Sequence, residues 1–445
     1  MTDQELNLQE VREDLTEFLG IIRDRFAYAD ANGYDYQNAV QELLPHVDHG
    51  LPANELGLAL YELLANFIDG HIQVNPYLLA DGFLPFRLEL ADDRIVAVKT
   101  DRSGLLAERC PYLAAIDGVD IDVWLAAAQQ IVPIGTEHYV RWRSVRHLCE
   151  VQHWRRVLNA IPSASITVDL YADDSREVVA SKHEVASSPH PKSVWPESGS
   201  RILDGNVGYL RLHKMDEAAI HEVDTWMPRF RDTEALIVDV RDNTGGLRTP
   251  LLRLFPYFMQ PEEEAVIGSV AAYRRWGGFT DNHLAARHMV RENTPGLTDR
   301  ELEAIAEFKN SFVPERDLRD EGFSDWHYLV LTSDGETCYY YDRRVLVLMN
   351  EKCFSATDIF LGAMKTRSNV TLIGVPSSGG SGYGIHYTLP NSKIKVRLAS
   401  MISFQPDGRL YDTRGITPHV LHTPVPSDFV RGGTDSMLDA ALNAV

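Results

Sequence analysis

Near the N-terminus the apolar residues Leu15, Phe18, Leu19 and Ile22 recur at helical spacing, and "NELGLALYELLANFI" continues the rhythm. The spacing predicts three or four helices between Asn7 and about Phe67. From "LPFRLELADDRIVAVKT" the period shortens to alternation in short runs, which predicts strands. "LLAERCPYLAAIDGVDIDVWLAAAQQI" then reads as a helix, a short strand, an Ile-Asp-Gly turn and a second helix. Residues 140–160 read as helical, and "SASITVDLYADDSREVVASKHEV" as a hairpin turning at residues 173–175.

The Pro- and Ser-rich "ASSPHPKSVWPESGS" predicts a linker, after which the pattern becomes α/β. "NVGYLRLHKM" and "ALIVDVRDN" are predicted strands, followed by predicted helices over residues 216–231 and "GLRTPLLRLFPYFM". Residues 262–330 show little strand character and read as a largely helical insertion, in which Thr298 and Glu301 have capping-box spacing. "YLVLTSDGETCYYY" predicts a hairpin. The apolar "RVLVLMN" predicts a buried strand running into a helix at Ser355, with "VTLIGVP" and further strands to about Phe404. The divisions expected are helices over 1–75, a β-rich module over 76–190, an α/β core over 200–430 and a C-terminal helix within 431–445.

A chain of 445 residues exceeds one compact core, so two or three domains are expected. An apolar fraction of 44% excludes disorder. The formal charge of −21 argues against a nucleic-acid partner and against adsorption to anionic membranes. Cys110, Cys149, Cys338 and Cys353 show no CxxC spacing, which fits neither a disulfide framework nor a thiolate zinc site, and suggests a reducing compartment. The first twenty residues are acidic and amphipathic, unlike a signal peptide, and no apolar run approaches the ~18 residues of a membrane span. The expectation is a soluble cytoplasmic protein.

Four segments could carry chemistry. In "FIDGHIQV", His71 follows a helix end, where a histidine commonly serves only as a favourable C-terminal charge. In "IVDVRDNTGGL", Gly245 and Gly246 form either a tight turn or a cradle of backbone N–H groups for an anion. Ser355 in "NEKCFSATDIF" is either the N-cap of the helix beginning at Ala356 or an exposed nucleophile on a strand-to-helix turn. In "PSSGGSGYG" the glycines, Gly379 and Gly380 among them, suggest a loop open to a ligand. Asp412 in "DGRLYDTRGITPHV" is a turn former unless the site uses it.

In this order and spacing the segments resemble the C-terminal-processing (tail-specific) and tricorn-type serine peptidases. The matching stretches are "DVRDNTGG", "VLVLMN", "SATD", "GVPSSGGSGYG" and "DTRGITPH", covering about residues 200–430. The "DGH" resembles the family's D-x-H segment, and residues 80–135 resemble a divergent PDZ-type module. The resemblance implies an α/β fold: a ClpP/crotonase-like protease core, an N-terminal helical domain and a PDZ-like β-rich module. One family subtype pairs its serine with a lysine. That position falls at Gly380 here, and no lysine occurs between Lys365 and Lys393, so the histidine-dependent subtype is implied. Asp412 replaces the family's usual Glu, and His419 its usual Asp.

The resemblance then implies Ser355 as nucleophile, His71 as general base and Asp412 as its carboxylate partner. Gly245 or Gly246, with Ala356, would form the oxyanion hole, and Gly379 and Gly380 would contact substrate. No metal or cofactor is expected; His147, Cys149 and His153 have ligand-like spacing but lack a carboxylate or second cysteine. Cys353 reads as a core residue. The expected partner is a peptide or protein substrate, with homo-oligomerisation left open. Insertion 262–330 would either gate the cleft or bind a neighbouring subunit. Two alternatives stay beside the peptidase reading: an acyl hydrolase or transferase on a non-peptide group, and an inactive member of the fold that binds a peptide or hydrophobic small molecule.

Overall fold

A strand with no polar face is stable only when both of its faces are packed. Val207–Arg211, Ala235–Asp239 and Val345–Met349 are of this kind, buried along their whole length. They lie at the centre of a six-stranded sheet ordered Arg201–Leu203, Val207–Arg211, Ala235–Asp239, Val345–Met349, Val370–Gly374 and Val420–Leu421. The first pair is antiparallel and the other four are parallel. In this computed structural model the described residues are 4–445 except 48–49, 78–80, 92, 173–177, 192–193, 277–278, 281, 319–321 and 334–337.

Alternate side chains of the sheet feed two cores. Leu210, Leu236, Val238 and Val347 meet Val223, Phe230, Ile359 and Phe360 of helices Glu217–Phe230 and Ala356–Lys365. Val207, Tyr209, Ile237 and Leu348 meet Met437, Leu438 and Ala441 of helix Ser436–Leu442 on the other face. With both faces covered, the loops that leave the C-terminal ends of the parallel strands become the natural place for a site.

The N-terminal helices are Leu8–Arg25, Tyr36–Leu43 and Ala53–Leu64. An antiparallel sheet follows, ordered Phe86–Ala91, Arg94–Lys99, Tyr112–Ile116, Ser165–Tyr171 and Val178–Glu184. The hairpin expected over 163–185 has both its strands; its turn at 173–175 lies outside the described residues. Short strand Gln73–Asn75 joins Lys395–Ala399 and Gly384–Thr388 in a separate antiparallel sheet, with Val74 opposite Val396. This pairing carries the segment after His71 into the far end of the chain.

Three local expectations are corrected. Residues 105–109 are turns and bends, not a helix. Leu105 bridges Val98, and Leu106 N–H donates to Ala97 O at 2.8 Å, so their backbone groups serve the neighbouring strand. The insertion contains an eight-residue strand, Val266–Tyr273, buried at all but its first position. As the middle strand of a three-stranded sheet with His327–Leu331 and Met401–Phe404, it lacks the polar alternation that marks a strand in sequence. His327–Leu331 therefore pairs with Val266–Tyr273 and not with the tyrosines of a hairpin; Tyr341 N–H donates to Tyr257 O at 2.7 Å. The capping box of Thr298 and Glu301 forms as expected. The segment read as a linker is tied down at Trp195, whose indole N–H donates to Asp428 O at 2.6 Å while Arg102 lies 4.5 Å over its ring.

A buried ion network joins the antiparallel sheet to the turn before Ser355. Glu89 accepts from Arg102, and from Lys352 Nζ at 2.8 Å; Lys352 also lies 3.2 Å from Asp242. Burial alone would raise the Glu89 carboxyl, but the charges of Lys352 and Arg102 outweigh it and hold it down at about 2. Lys352→Met removes the cation beside Asp242 and leaves buried Glu89 with Arg102 alone, so a loss of about 3 kcal/mol is expected, read as a lower urea midpoint. In the wild type the stabilisation from Glu89 is complete above its ordinary 4.5 and is lost as pH falls toward about 2.

Candidate active site

Ser355 closes the turn between Val345–Met349 and helix Ala356–Lys365 with φ 62° and ψ −119°. That backbone costs a residue bearing a Cβ about 1–3 kcal/mol, so its surroundings must hold it. Asn243, fully buried, does much of this. Its Oδ1 accepts from Thr357 Oγ1 at 2.8 Å and from Gly245 N–H at 3.0 Å, and its carbonyl accepts from Phe354 N–H at 3.2 Å. Asp242 N–H donates to Asn350 Oδ1 at 2.9 Å and Asn350 Nδ2 donates back to Asp242 Oδ1 at 2.8 Å. Two loops far apart in sequence are thus laced together at the strand ends.

The helix-cap reading of Ser355 does not hold. Its side chain makes no cap bond, and its Oγ lies 3.1 Å from His71 Nε2. The strained φ turns the hydroxyl away from the helix and toward the imidazole. Cys353 is buried, its thiol donates to Val240 O at 3.1 Å and burial pushes its pKa well up, so it is a packing residue.

His71 is 2% exposed, its ring 4.6 Å from that of Phe354. Gly70 is required beside it, because a Cβ there would come within 2.8 Å of the Phe354 ring. Burial lowers the imidazole below its usual 6.5, with Asp69 partly offsetting the effect. Asp69 is the carboxylate in closest reach. Its Oδ1 lies 3.5 Å from His71 Nδ1 and accepts the His71 backbone N–H at 2.8 Å, while Oδ2 accepts Ala399 N–H at 2.9 Å. The sequence reading quoted Asp69 within "DGH" without giving it a role; its position two residues before His71 was the available signal.

Asp412 joins the same group but more loosely. Asp69, His71 and Asp412 each place one atom within 4.8 Å of the others. Asp412 Oδ2 accepts Tyr28 Oη–H at 2.6 Å and Ser381 N–H at 3.4 Å, while its Oδ1 is buried without a hydrogen-bond partner. Burial, then the charge of Asp69, pushes Asp412 up to about 7. Two carboxyls this close around one imidazole resist carrying two charges. His147, Cys149 and His153 are not among the described groups whose ligand atoms converge.

Gly245 packs directly on the serine; a Cβ there would lie 2.5 Å from Phe354 O and 2.7 Å from Ser355 Cβ. Gly379 and Gly380 sit beneath the site. A Cβ on Gly379 would strike Tyr411 O at 2.6 Å, and one on Gly380 the Phe354 ring at 2.3 Å. Among the described residues the glycine-rich loop reaches the cavity over Ser355 at Ser381 and Gly382, not at Gly379 or Gly380. That cavity holds about 10 Å³, room for one water, and is otherwise lined by Arg248, Arg287, Ala356, Ile359 and Met401. Among the described residues no lysine reaches it.

Residues 206–422 match the profile of Peptidase family S41. Mature CPAF superimposes with a TM-score of 0.67 at 15% identity, covering 97% of each chain. A Parabacteroides merdae structure gives 0.53 at 16% identity over 98% of this chain and 96% of that one. At such identities these likenesses establish the fold. Over 84 residues, 18% of this chain, the sequence is 31% identical to a protein of Chlamydia pneumoniae, a match spanning 14% of that relative's length. Fold and profile together define a serine peptidase. The profile match over residues 206–422, with this fold, supports an S41-type peptidase.

Proposed function

We propose that the chain hydrolyses peptide bonds, with Ser355 as nucleophile and His71 as general base. The observation that carries this reading is the 3.1 Å approach of His71 Nε2 to a serine held at φ 62°. A buried imidazole, held below 6.5, is neutral at neutral pH and ready to take the hydroxyl proton. Ser355 Oγ adds to the carbonyl as its proton passes to Nε2. The imidazolium then returns that proton to the leaving amine, giving an acyl-serine, which water attacks with His71 again as base. Asp69 and Asp412 lie beside the ring and stabilise the imidazolium.

The oxyanion needs N–H groups without acceptors. Ala356 N–H lies in the first helical turn, where no intrahelical partner exists. Gly245 N–H already donates to Asn243, and Gly245 O accepts from Met215 N–H. A trans peptide points the next N–H the opposite way, so Gly246 N–H is the second donor. A cavity of about 10 Å³ admits no peptide, so its lining must rearrange as substrate enters.

The parallel sheet with helices on both faces supports a ClpP/crotonase-like core. The five antiparallel strands with helix Ile121–Gln129 support a PDZ-like module over 76–190, after a helical domain over 1–75. Cys110, Cys149 and Cys353, none of them in a disulfide, support a reducing compartment, and no described helix is long and apolar enough to cross a membrane.

The test is covalent labelling by a fluorophosphonate, with cleavage of a peptide mixture read by mass spectrometry. Wild type is expected to label and cleave, and Ser355→Ala to do neither. Labelling that persists in Ser355→Ala sinks the nucleophile assignment.

A further inference from the structure

Four buried arginines of this chain pair with acids. Arg102 pairs with Glu89, Arg155 with Asp117, and Arg211 and Arg241 with Asp239. The two arginines lining the cavity over Ser355, like Arg143 among its tyrosines, have no acid among the described residues. Arg248, 4% exposed, immediately precedes helix Thr249–Leu254, and Arg287 closes the short turn Ala285–Arg287. Arg248 Nη1 donates to Arg287 O at 3.3 Å, and Arg287 Nη1 donates to Gly246 O at 3.2 Å. Arg287 also lies 4.2 Å over the Tyr383 ring. Among the described residues neither guanidinium has a carboxylate partner, and each is further disfavoured by another arginine's charge.

Burying a guanidinium without a counter-ion is costly, and a second one beside it adds repulsion. Burial, then the charge of Arg287, pushes Arg248 down to about 9. In a chain with 64 acidic and 43 basic residues, unpaired cations next to a nucleophile mark a place where an anion arrives from outside. The opposite wall agrees. Ser381 lines the same cavity, and its hydroxyl is buried with no hydrogen-bond partner. Two guanidinium groups and one unpartnered hydroxyl supply the kind of donors a carboxylate accepts.

We propose that Arg248 and Arg287 determine specificity by binding a substrate carboxylate next to the scissile bond. The carboxylate is supplied either by an Asp or Glu side chain or by the free end of the peptide. The inference rests on the reading of Ser355 as nucleophile, since it is this that makes the cavity a substrate site. Binding is nevertheless measured without turnover, in the full-length Ser355→Ala chain, by calorimetry with four peptides. Acetyl-Ala-Ala-Glu-Ala-Ala-amide and its Gln counterpart test the side chain. Acetyl-Ala-Ala-Gln as the free acid and as the amide test the chain end.

At least one acid is expected to bind about tenfold more tightly than its amide, from charge-assisted hydrogen bonds. Arg248→Gln and Arg287→Gln, each added to Ser355→Ala, are expected to abolish the difference, and Arg287→Lys to retain part of it. Which pair of peptides differs identifies the source of the carboxylate. Equal affinities for acid and amide in both pairs, or a preference that survives both Gln substitutions, overturn the proposal. Failure of the nucleophile reading shows elsewhere, as wild type that does not label with fluorophosphonate.

Discussion

His71→Ala is expected to lower kcat for peptide hydrolysis by about 10⁶-fold, near the loss from removing the nucleophile itself. The serine has no other described base at hydrogen-bond distance; its Oγ faces His71 Nε2 at 3.1 Å. Loss of the imidazole also removes the acid that protonates the leaving amine, so both halves of the reaction fail together. KM is expected to change little, because the ring lies behind the serine and not along the cavity lining. Wild-type kcat/KM should fall on the acid side with a midpoint below 6.5, since burial disfavours the imidazolium. A His71→Ala enzyme that retains a tenth of wild-type kcat would remove the histidine from the mechanism.

The second large effect separates the two carboxyls. Asp69→Asn is expected to cost about 10⁴-fold in kcat, as when the acid of a triad is lost and the wrong tautomer is favoured. Asp412→Asn is expected to cost less, because its Oδ2 accepts from Tyr28 and Ser381 and neither oxygen bonds the ring. Stability gives a second readout. Asp412 sits at about 7 in the folded chain against an ordinary 3.8, so the folded state keeps a proton that the unfolded chain gives up. That contribution is full below the ordinary value and is lost as pH rises toward about 7. Urea midpoints at pH about 4 and about 8 should therefore fall less in Asp412→Asn than in wild type. A reversed order of kcat losses would make Asp412 the direct partner of the imidazole.

Much of the core was legible because buried parallel strands announce themselves. "ALIVDV" and "VLVLM" are apolar throughout, and the turns after them carry Gly245, Gly246 and Ser355, which the fold brings together. His71 was legible through its D-x-H setting, although nothing local says that strand Gln73–Asn75 pairs some 320 residues downstream. Val266–Tyr273 was missed because a strand buried on both faces has no alternation. The role of Asp69 was missed because Asp-Gly at a helix end has a sufficient local explanation as a turn. Arg248 and Arg287 were illegible for a different reason. Their meaning lies in the acids that are not beside them, which only a three-dimensional neighbourhood reveals.

The pairing of Gln73–Asn75 with Lys395–Ala399 bears on when the chain can cut. During synthesis the base emerges first and the nucleophile almost 300 residues later, and the strand that clamps the base arrives later still. Contacts of such sequence separation close last, after loop-closure entropy has been overcome. No early fragment holds both halves of the catalytic pair, and a nearly complete chain holds both without the clamp. With Ser355 and His71 in the proposed roles, a nascent or partly unfolded copy is expected to be inert toward its neighbours, and only the finished fold armed.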